Sequence, residues 1–495
     1  MKRLCVLLML CSLLLSTACG SGAAENPSGN ESAETTVSTD TTEKLSERET
    51  VRCSLPEDLK FDGKKVNVLV RDGSEFIIEI FTEQTGDVVD DAVFNRNLAV
   101  SERLGIEIEH TAISDSGGGN VPKAIKESVL AGDEPYQLAF GGQYYSTSNA
   151  LEGIYYNLLD MKYIDPTAPY YSQGFVEAAT IHNTLFYITG DASISQTSRS
   201  YVTFFNKKLA KVWLPDTDLY QIVRDGKWTW DNFGEMIKNI YSDTNGNGER
   251  DIDDFYGLCT TYTVAPLDSL LPSCRIKIAE VDKDGNINLS LNNERTVSMY
   301  EMVDQVLNRN DGTYCNGETQ AAQDAAFEQF IALESVFHFQ LLNKTDSGLR
   351  DYTDPYGLLP IPKYDEAQEE YYTIPHDQYS IIYVPSNCSD PDLVGAFIEA
   401  MNYESYKTVT PAYFETALKT KYLDGNEDAE MYDIIVAGKC FDPAVIYSNY
   451  TGNLSWISRL IFRQNMSFSS YYASIEASAK EKLSEVSEKL KGLGK

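Results

Sequence analysis

The chain has 495 residues, with 41 Lys and Arg against 74 Asp and Glu, a formal net charge of −33 and 42% hydrophobic residues. That length suffices for two or more domains with full cores. The charge argues against a nucleic-acid partner, because phosphate neutralisation needs clustered Lys and Arg and no long basic patch occurs.

Lys2 and Arg3 lead into an apolar run over residues 4–15 and then Ser16-Thr17-Ala18-Cys19. A basic start, a short apolar stretch and small residues before a cut site make a secretory signal peptide over residues 1–18. The run falls short of the ~20 apolar residues a spanning helix needs. Cys19 after the small residues resembles a bacterial lipobox, whose thiol receives the lipid, although Ser16 stands where Leu is usual. The alternative is an ordinary signal peptide with Cys19 incidental. From Gly20 to about Thr50 the chain is rich in Ser, Thr, Glu, Gly and Asn. Such a stretch buries too little surface to offset its ordering entropy. Residues 19–55 are therefore expected to form a flexible tether, spanning on the order of 30 Å. No later segment is long and apolar enough to cross a bilayer. The expected location is extracytoplasmic, on the outer face of the cytoplasmic membrane, with the lipid as the only anchor.

Past the tether, residues 65–70 read as a strand, residues 88–104 as a helix whose apolar stripe is interrupted at Arg96 and Asn97, and residues 106–110 as a second strand. A helix over 121–130 and a strand over 136–140 follow. Strands alternating with helices read as βαβ units on a mostly parallel sheet. The middle is richer in helix. Asp231 is the expected N-cap of a helix carrying Phe233, Met236, Ile237 and Ile240 on one face. Residues 327–339 read as another helix, and 356–362 and 379–385 as strands ended by Pro. Ser389 and Asp392 have capping-box spacing before a further helix, and the tail over 472–490 is amphipathic helix. Cys53, Cys259, Cys274, Cys315, Cys388 and Cys440 lie in the body; they allow 15 full pairings, or stand as buried thiols. No CxxC occurs, which argues against a zinc ribbon or a thioredoxin-like centre.

Residues 243–254 form the sharpest local motif. Counting from Asp243, oxygen side chains fall at positions 1, 3, 5, 9 and 12 (Asp243, Asn245, Asn247, Asp251, Asp254). Gly248 sits at the turn position, and Glu249 would offer its backbone carbonyl. This is the spacing of an EF-hand type of loop, in which Ca²⁺ takes six to eight hard oxygen ligands. Asp254 replaces the long bidentate Glu, and Arg250 an apolar residue. A structural Ca²⁺ is expected, against a plain Asp/Asn/Gly turn.

With these segments in hand, the chain resembles the lipid-anchored solute-binding proteins of ABC importers, in the carbohydrate-type family 1. The resemblance runs over about residues 60–470. It rests on Tyr136 to Gly142, Tyr155 to Asp165, a "YNK-L"-like segment at Phe204 to Leu209, the Trp-Thr-Trp-Asp entry at Trp228 to Asp231, and the Asp/Asn/Gly loop after it. It implies a periplasmic-binding-protein-like α/β fold of type II: two α/β lobes around a ligand cleft, joined by crossover strands. The lobes implied are 56–165 with 320–385, and 166–319 with 386–495. The implied action is capture of a solute, expected to be a mono- or oligosaccharide, by hinge closure. Delivery to ABC permease subunits by a monomer would follow.

Sugar rings suit flat aromatic side chains flanked by polar groups. Gln143, Tyr144 and Tyr145 follow a strand end, where ligands of open α/β sheets bind. Trp456 with Arg459 one turn on offers a ring platform and a donor, with core packing the alternative. Of Trp228 and Trp230, either packs or lines the cleft; Trp230 is the candidate, and Trp213 is assigned to the core. Gly190-Asp191 resembles the family's Gly-Asp beside the cleft. The glycines at 117–119 lack the context for a phosphate cradle. No enzyme is expected: there is no GxSxG or HExxH, and His110, His182, His338 and His376 are scattered. A secreted carbohydrate-active hydrolase with two carboxylates about 5–10 Å apart, and a non-transporting polysaccharide-binding surface protein, are the alternatives.

Overall fold

The computed structural model describes residues 48–414 and 425–494. The signal peptide, Cys19 and most of the expected tether lie outside the described residues. The end of the tether does not: Arg48 reaches the Tyr406 carbonyl (2.9 Å) and Asp191 (3.3 Å), and Ser54 donates to Glu399 (2.5 Å). The body thus includes residues 48–54, which the expected tether had taken in.

The first sheet starts with β1 (Lys64–Arg71), β2 (Ile106–Ile113) and β3 (Leu138–Gly142), all parallel, with β1 in the centre. The helix Val88–Leu104 connects β1 to β2. Asp87 caps it by accepting from Val89 N (2.9 Å), and Gly105 ends it at φ 64°, a left-handed conformation in which glycine carries no Cβ penalty. Arg96 does not break its buried stripe but belongs to it: its guanidinium donates to the Glu79 carbonyl (2.9 Å) and to Ser405 Oγ (3.2 Å).

The second sheet follows. It contains β4 (Tyr201–Asn206), β5 (Tyr241–Ser242), β6 (Phe255–Thr260), β9 (Thr313–Cys315), β10 (Ser335–Leu341) and β11 (Tyr356–Leu359), while β7 (Ala279–Val281) and β8 (Ile287–Leu289) form a separate hairpin. Its order is β11-β4-β10-β6-β5, with β9 also on β6. β12 (Ser380–Tyr383) returns to the first sheet, antiparallel to β3, completing the order β12-β3-β1-β2. Two segments therefore cross between the sheets before β4 and before β12, and they pair with each other at Ser200 and Pro375. The implied grouping of 320–385 with the first lobe is corrected by this pairing: β10 and β11 hydrogen-bond to β4, so only β12 of that stretch joins the first sheet.

Other expectations shift for local reasons. Thr229, not Asp231, caps Trp230–Ile237, because its hydroxyl accepts from Asn232 N (3.2 Å). The apolar run 327–339 divides into the end of the helix Gln320–Ile331 and the strand β10, with Leu333 at φ 65° between them. Asp390, not Ser389, caps Pro391–Glu404, since Ser389 N is spent on Glu134 (3.0 Å). The tail helix extends to Phe468–Leu493. All six body cysteines are free thiols. Burial pushes Cys259, Cys274 and Cys440 up to about 12, so they are protonated and inert at neutral pH. No helix among the described residues is long and apolar enough to cross a membrane.

Candidate ligand cleft

A cleft of about 800 Å³ opens where β1 and β10 end. From the first sheet, Glu75 follows the end of β1. From the second, Asn343 follows β10 and Arg199 precedes β4. Glu75 takes a guanidinium nitrogen of Arg199 with both oxygens (2.7 and 2.8 Å) and the Asn343 amide (3.0 Å), so an acid from one side meets a base and an amide from the other. Arg199 Nε and Asn343 Oδ1 are buried without a protein partner. Such groups favour a ligand that brings complementary hydroxyls, since leaving them unmet costs about 1–3 kcal/mol each.

His376 also lines this cleft and sits on the second crossing segment. Burial, then the positive Arg199, Arg459 and Arg71, hold its imidazole well below the usual range, so it is neutral at pH 7. Its Nδ1 accepts from Gln378 N (3.2 Å). The next residue, Asp377, opens a second cluster. Its carboxylate accepts from Trp456 Nε1 (3.3 Å), and Trp456 stacks on Tyr144 at 5.2 Å with the rings 8° apart. Tyr145 meets Tyr144 edge-on at 4.7 Å and is 38% exposed. Arg459 lies 5.0 Å from the Trp456 ring and forks both oxygens of Asp268, which also accepts from Tyr201 OH (2.9 Å).

Four of the sequence candidates, Tyr144, Tyr145, Trp456 and Arg459, thus converge around Asp377. Three do not. Gln143 is fully buried and donates to the Ile446 carbonyl (2.6 Å), because helix Gln143–Ala150 turns that face inward. Trp230 is fully buried among Phe233 and Phe339, and Trp228 beside it donates to the Pro360 carbonyl (2.8 Å). Asp191 is bound to Arg48 and Thr410 at the first crossing segment. Trp213 stacks on Phe255 at 5.1 Å, as expected of packing. Gly118, at φ 83°, faces Gln378 and Tyr145 so closely that a Cβ would sit 2.3 Å from Gln378 Oε1. Sequence reasoning missed Glu75, Arg199, Asp268, Asn343, His376 and Asp377. The available signal was their place beside strand ends or between two strand-like runs.

Burial, and then the negative Asp268, push Asp377 up to about 6 against the opposing Arg459 and Trp456. A carboxyl raised in the folded state adds stability that is complete below its unfolded value near 4 and is lost as pH rises through about 6. Asp377→Asn keeps an acceptor for Trp456. It is expected to gain stability relative to wild type between pH 4 and 7, by up to about 3 kcal/mol at 1.36 kcal/mol per pH unit. Paired urea melts at several pH values measure this; a difference that stays flat with pH would refute it.

The loop 243–254 winds on itself. Asp243 accepts from Gly246 N (2.6 Å) and Gly248 N (3.0 Å), both glycines at positive φ, while the Asn245 and Asn247 amides turn to Asp251 (3.1 and 2.7 Å). The side chains at positions 3, 5 and 9 therefore meet through the two amide nitrogens, while the Asp243 oxygens face the loop's own glycine N–H groups. These residues carry oxygens of the hard type that Ca²⁺ takes, and among the described residues no three Asp, Glu, His or Cys side chains group around a metal position. Asp254 is fully buried and accepts from Tyr241 OH (3.1 Å) and Thr244 N (3.2 Å), at the inner end of the loop.

Two α/β sheets joined by paired crossing segments, with a polar cleft at their strand ends, define a periplasmic-binding-protein-like fold. Solved structures agree. A cyclo/maltodextrin-binding protein complexed with maltotetraose superposes with a TM-score of 0.57 at 11% identity, over 86% of this chain and 98% of that one. M. tuberculosis UspC gives 0.54 at 14% identity, over 84% and 100%. An ABC substrate-binding protein from Listeria monocytogenes in complex with cycloalternan gives 0.51 at 11%, over 87% and 99%. At these identities the likeness is one of fold. No family model matches the sequence, and no curated protein matches it.

Proposed function

We propose that this chain is a lipid-anchored solute-binding protein that captures a carbohydrate in the cleft by hinge closure and delivers it to an ABC permease. The observation that carries the reading is the cleft between two sheets joined by paired crossings, in which Glu75 of one side holds Arg199 and Asn343 of the other. Groups that meet across a hinge reward a ligand only in the closed form, so binding shifts the population toward closure. The sugar-bound neighbours of the same fold support the ligand class. Lipidation at Cys19 and the outer face of the membrane stand on the sequence motif.

The test is calorimetric titration of the mature chain against mono- and oligosaccharides, with product analysis of each mixture. Saturable binding without cleavage is the expected result. The hydrolase alternative draws on one observation, the raised Asp377 beside Asp268, but both oxygens of Asp268 are committed to Arg459 and Tyr201. Appearance of shorter sugars would replace the binder by that alternative.

Calcium is part of the same proposal. Asp243, Asn245, Asn247 and Asp251 would hold it through side chains, Glu249 through its carbonyl, with Asp254 closing the loop. Bound Ca²⁺ would tie the loop that joins β5 to β6. At a hundredfold excess over its dissociation constant a bound ion adds about 2.7 kcal/mol. The thermal midpoint should therefore rise with millimolar Ca²⁺, and the rise should vanish in Asp243→Ala. An unchanged midpoint would remove the ion.

A further inference from the structure

A second cavity, of about 260 Å³, has Tyr201, Asp268 and Asp377 of the cluster described above in its wall, and Ser455 beside them. Much of the rest of its wall is apolar, including Leu271, Ile276, Ile278, Ile374, Pro375 and Val445. The polar groups facing it are already engaged. Asp268 is held by Arg459 and Tyr201, and Asp377 by Trp456. Asp442 is buried and accepts from Ile278 N (2.6 Å), Ala444 N (2.8 Å) and Ala279 N (3.3 Å). Ser455 pairs with Ser448 (2.6 Å), and Cys440 donates to the Thr373 carbonyl (3.3 Å). The interior thus offers apolar surface and little unmet hydrogen-bonding demand, which suits an apolar body and not a sugar.

The mouth has the opposite character. Arg275 and Lys277 line it and are exposed, two cations on a chain of net charge −33. Arg275 forms no ion pair among the described residues; its guanidinium lies 5.9 Å from the Tyr372 ring. Lys277 forms an ion pair with Glu280, at 3.7 Å with both side chains largely exposed, and its charge also reaches the buried Asp442. Arg275 also sits at φ 53°, a left-handed conformation that non-glycine residues keep only where surroundings impose it, and such positions cluster at ligand sites. At 260 Å³ the space is just below the ~300–1,000 Å³ of drug-sized pockets, enough for one ring or a short alkyl chain.

We propose that this cavity is a second ligand site, for an apolar carboxylate whose ring or short chain enters the cavity while its anionic end meets Arg275 and Lys277 at the mouth.

The experiment titrates the mature chain with 4-phenylbutyrate and octanoate, using 4-phenylbutanol as the uncharged twin of the first. Saturable binding of the carboxylates is expected, about fivefold or more tighter than the alcohol, as a charge-assisted contact at a wet rim would give. Ile374→Trp fills the cavity and should abolish binding. Val445→Trp, half-buried at the rim, does the same should the first variant not fold. Arg275→Asn with Lys277→Ala, where Asn tolerates the left-handed backbone, should bring the carboxylate down to the alcohol's affinity. No binding of either carboxylate, or binding that survives a folded filling variant, overturns the site. Equal affinity for acid and alcohol in the wild type overturns its anionic specificity.

Discussion

Arg459→Met is expected to lower the unfolding free energy by about 3–5 kcal/mol, the range for breaking a buried ion pair by removing one partner. Arg459 and Asp268 are each 11% exposed at the side chain, and Asp377 beside them is buried. Removing the guanidinium leaves two carboxylates with Tyr201 OH and Trp456 Nε1 as their nearest donors. The double variant Arg459→Met/Asp268→Leu should recover much of the loss, because a buried pair replaced by apolar groups is often neutral. Urea melts at pH 7 with unchanged slope measure both. A loss below about 1 kcal/mol in the single variant would mean that water reaches the pair as it reaches a surface salt bridge.

Trp230→Ala carries the other large effect, about 3–5 kcal/mol as for a fully buried Trp cut to Ala. The ring has no exposed surface and packs 5.5 Å from Phe339, in the centre of the second sheet's core. Sugar affinity, measured below the melting range, should be unchanged. Trp456→Ala should do the reverse: Trp456 is only partly buried, so less stability is at stake, but its ring and the Asp377 bond leave the candidate site. If Trp230→Ala removes sugar binding while the protein remains folded, the assignment of that tryptophan to the core is wrong.

The contrast between these two tryptophans shows what a sequence can reveal. Elements whose signal is local were legible: β1, the helix Val88–Leu104 and β2 carry their periodicity, cap and terminal glycine within a few residues of themselves. The split of 327–339 was not, because a dense apolar run fits a helix and a buried strand alike and is decided by pairing with β4. Capping failed where tertiary contacts chose between neighbours, as at Ser389 and Asp390. At the site, aromatics after a strand end could be named, but which face of Gln143–Ala150 turns inward depends on the segment at Ile446, some 300 residues away. Asp268, His376 and Asp377 were invisible for the same reason. Nothing local marks an acid that becomes special only when another acid, an arginine and an indole are brought to it.

The Tyr144–Trp456 stack bears on the affinity that the proposed sugar site can reach. Rings 5.2 Å apart at 8° leave no space for a third between them, since a sandwiched sugar needs roughly 3.5–4.0 Å of clearance on each side. A guest that lies between these rings must first prise apart a contact worth about 0.5–1.5 kcal/mol. That is a handicap of about two- to tenfold in apparent affinity. The empty protein would thereby hold its own placeholder, and half-saturation of the proposed sugar site would need a higher ligand concentration than the bare pocket would set.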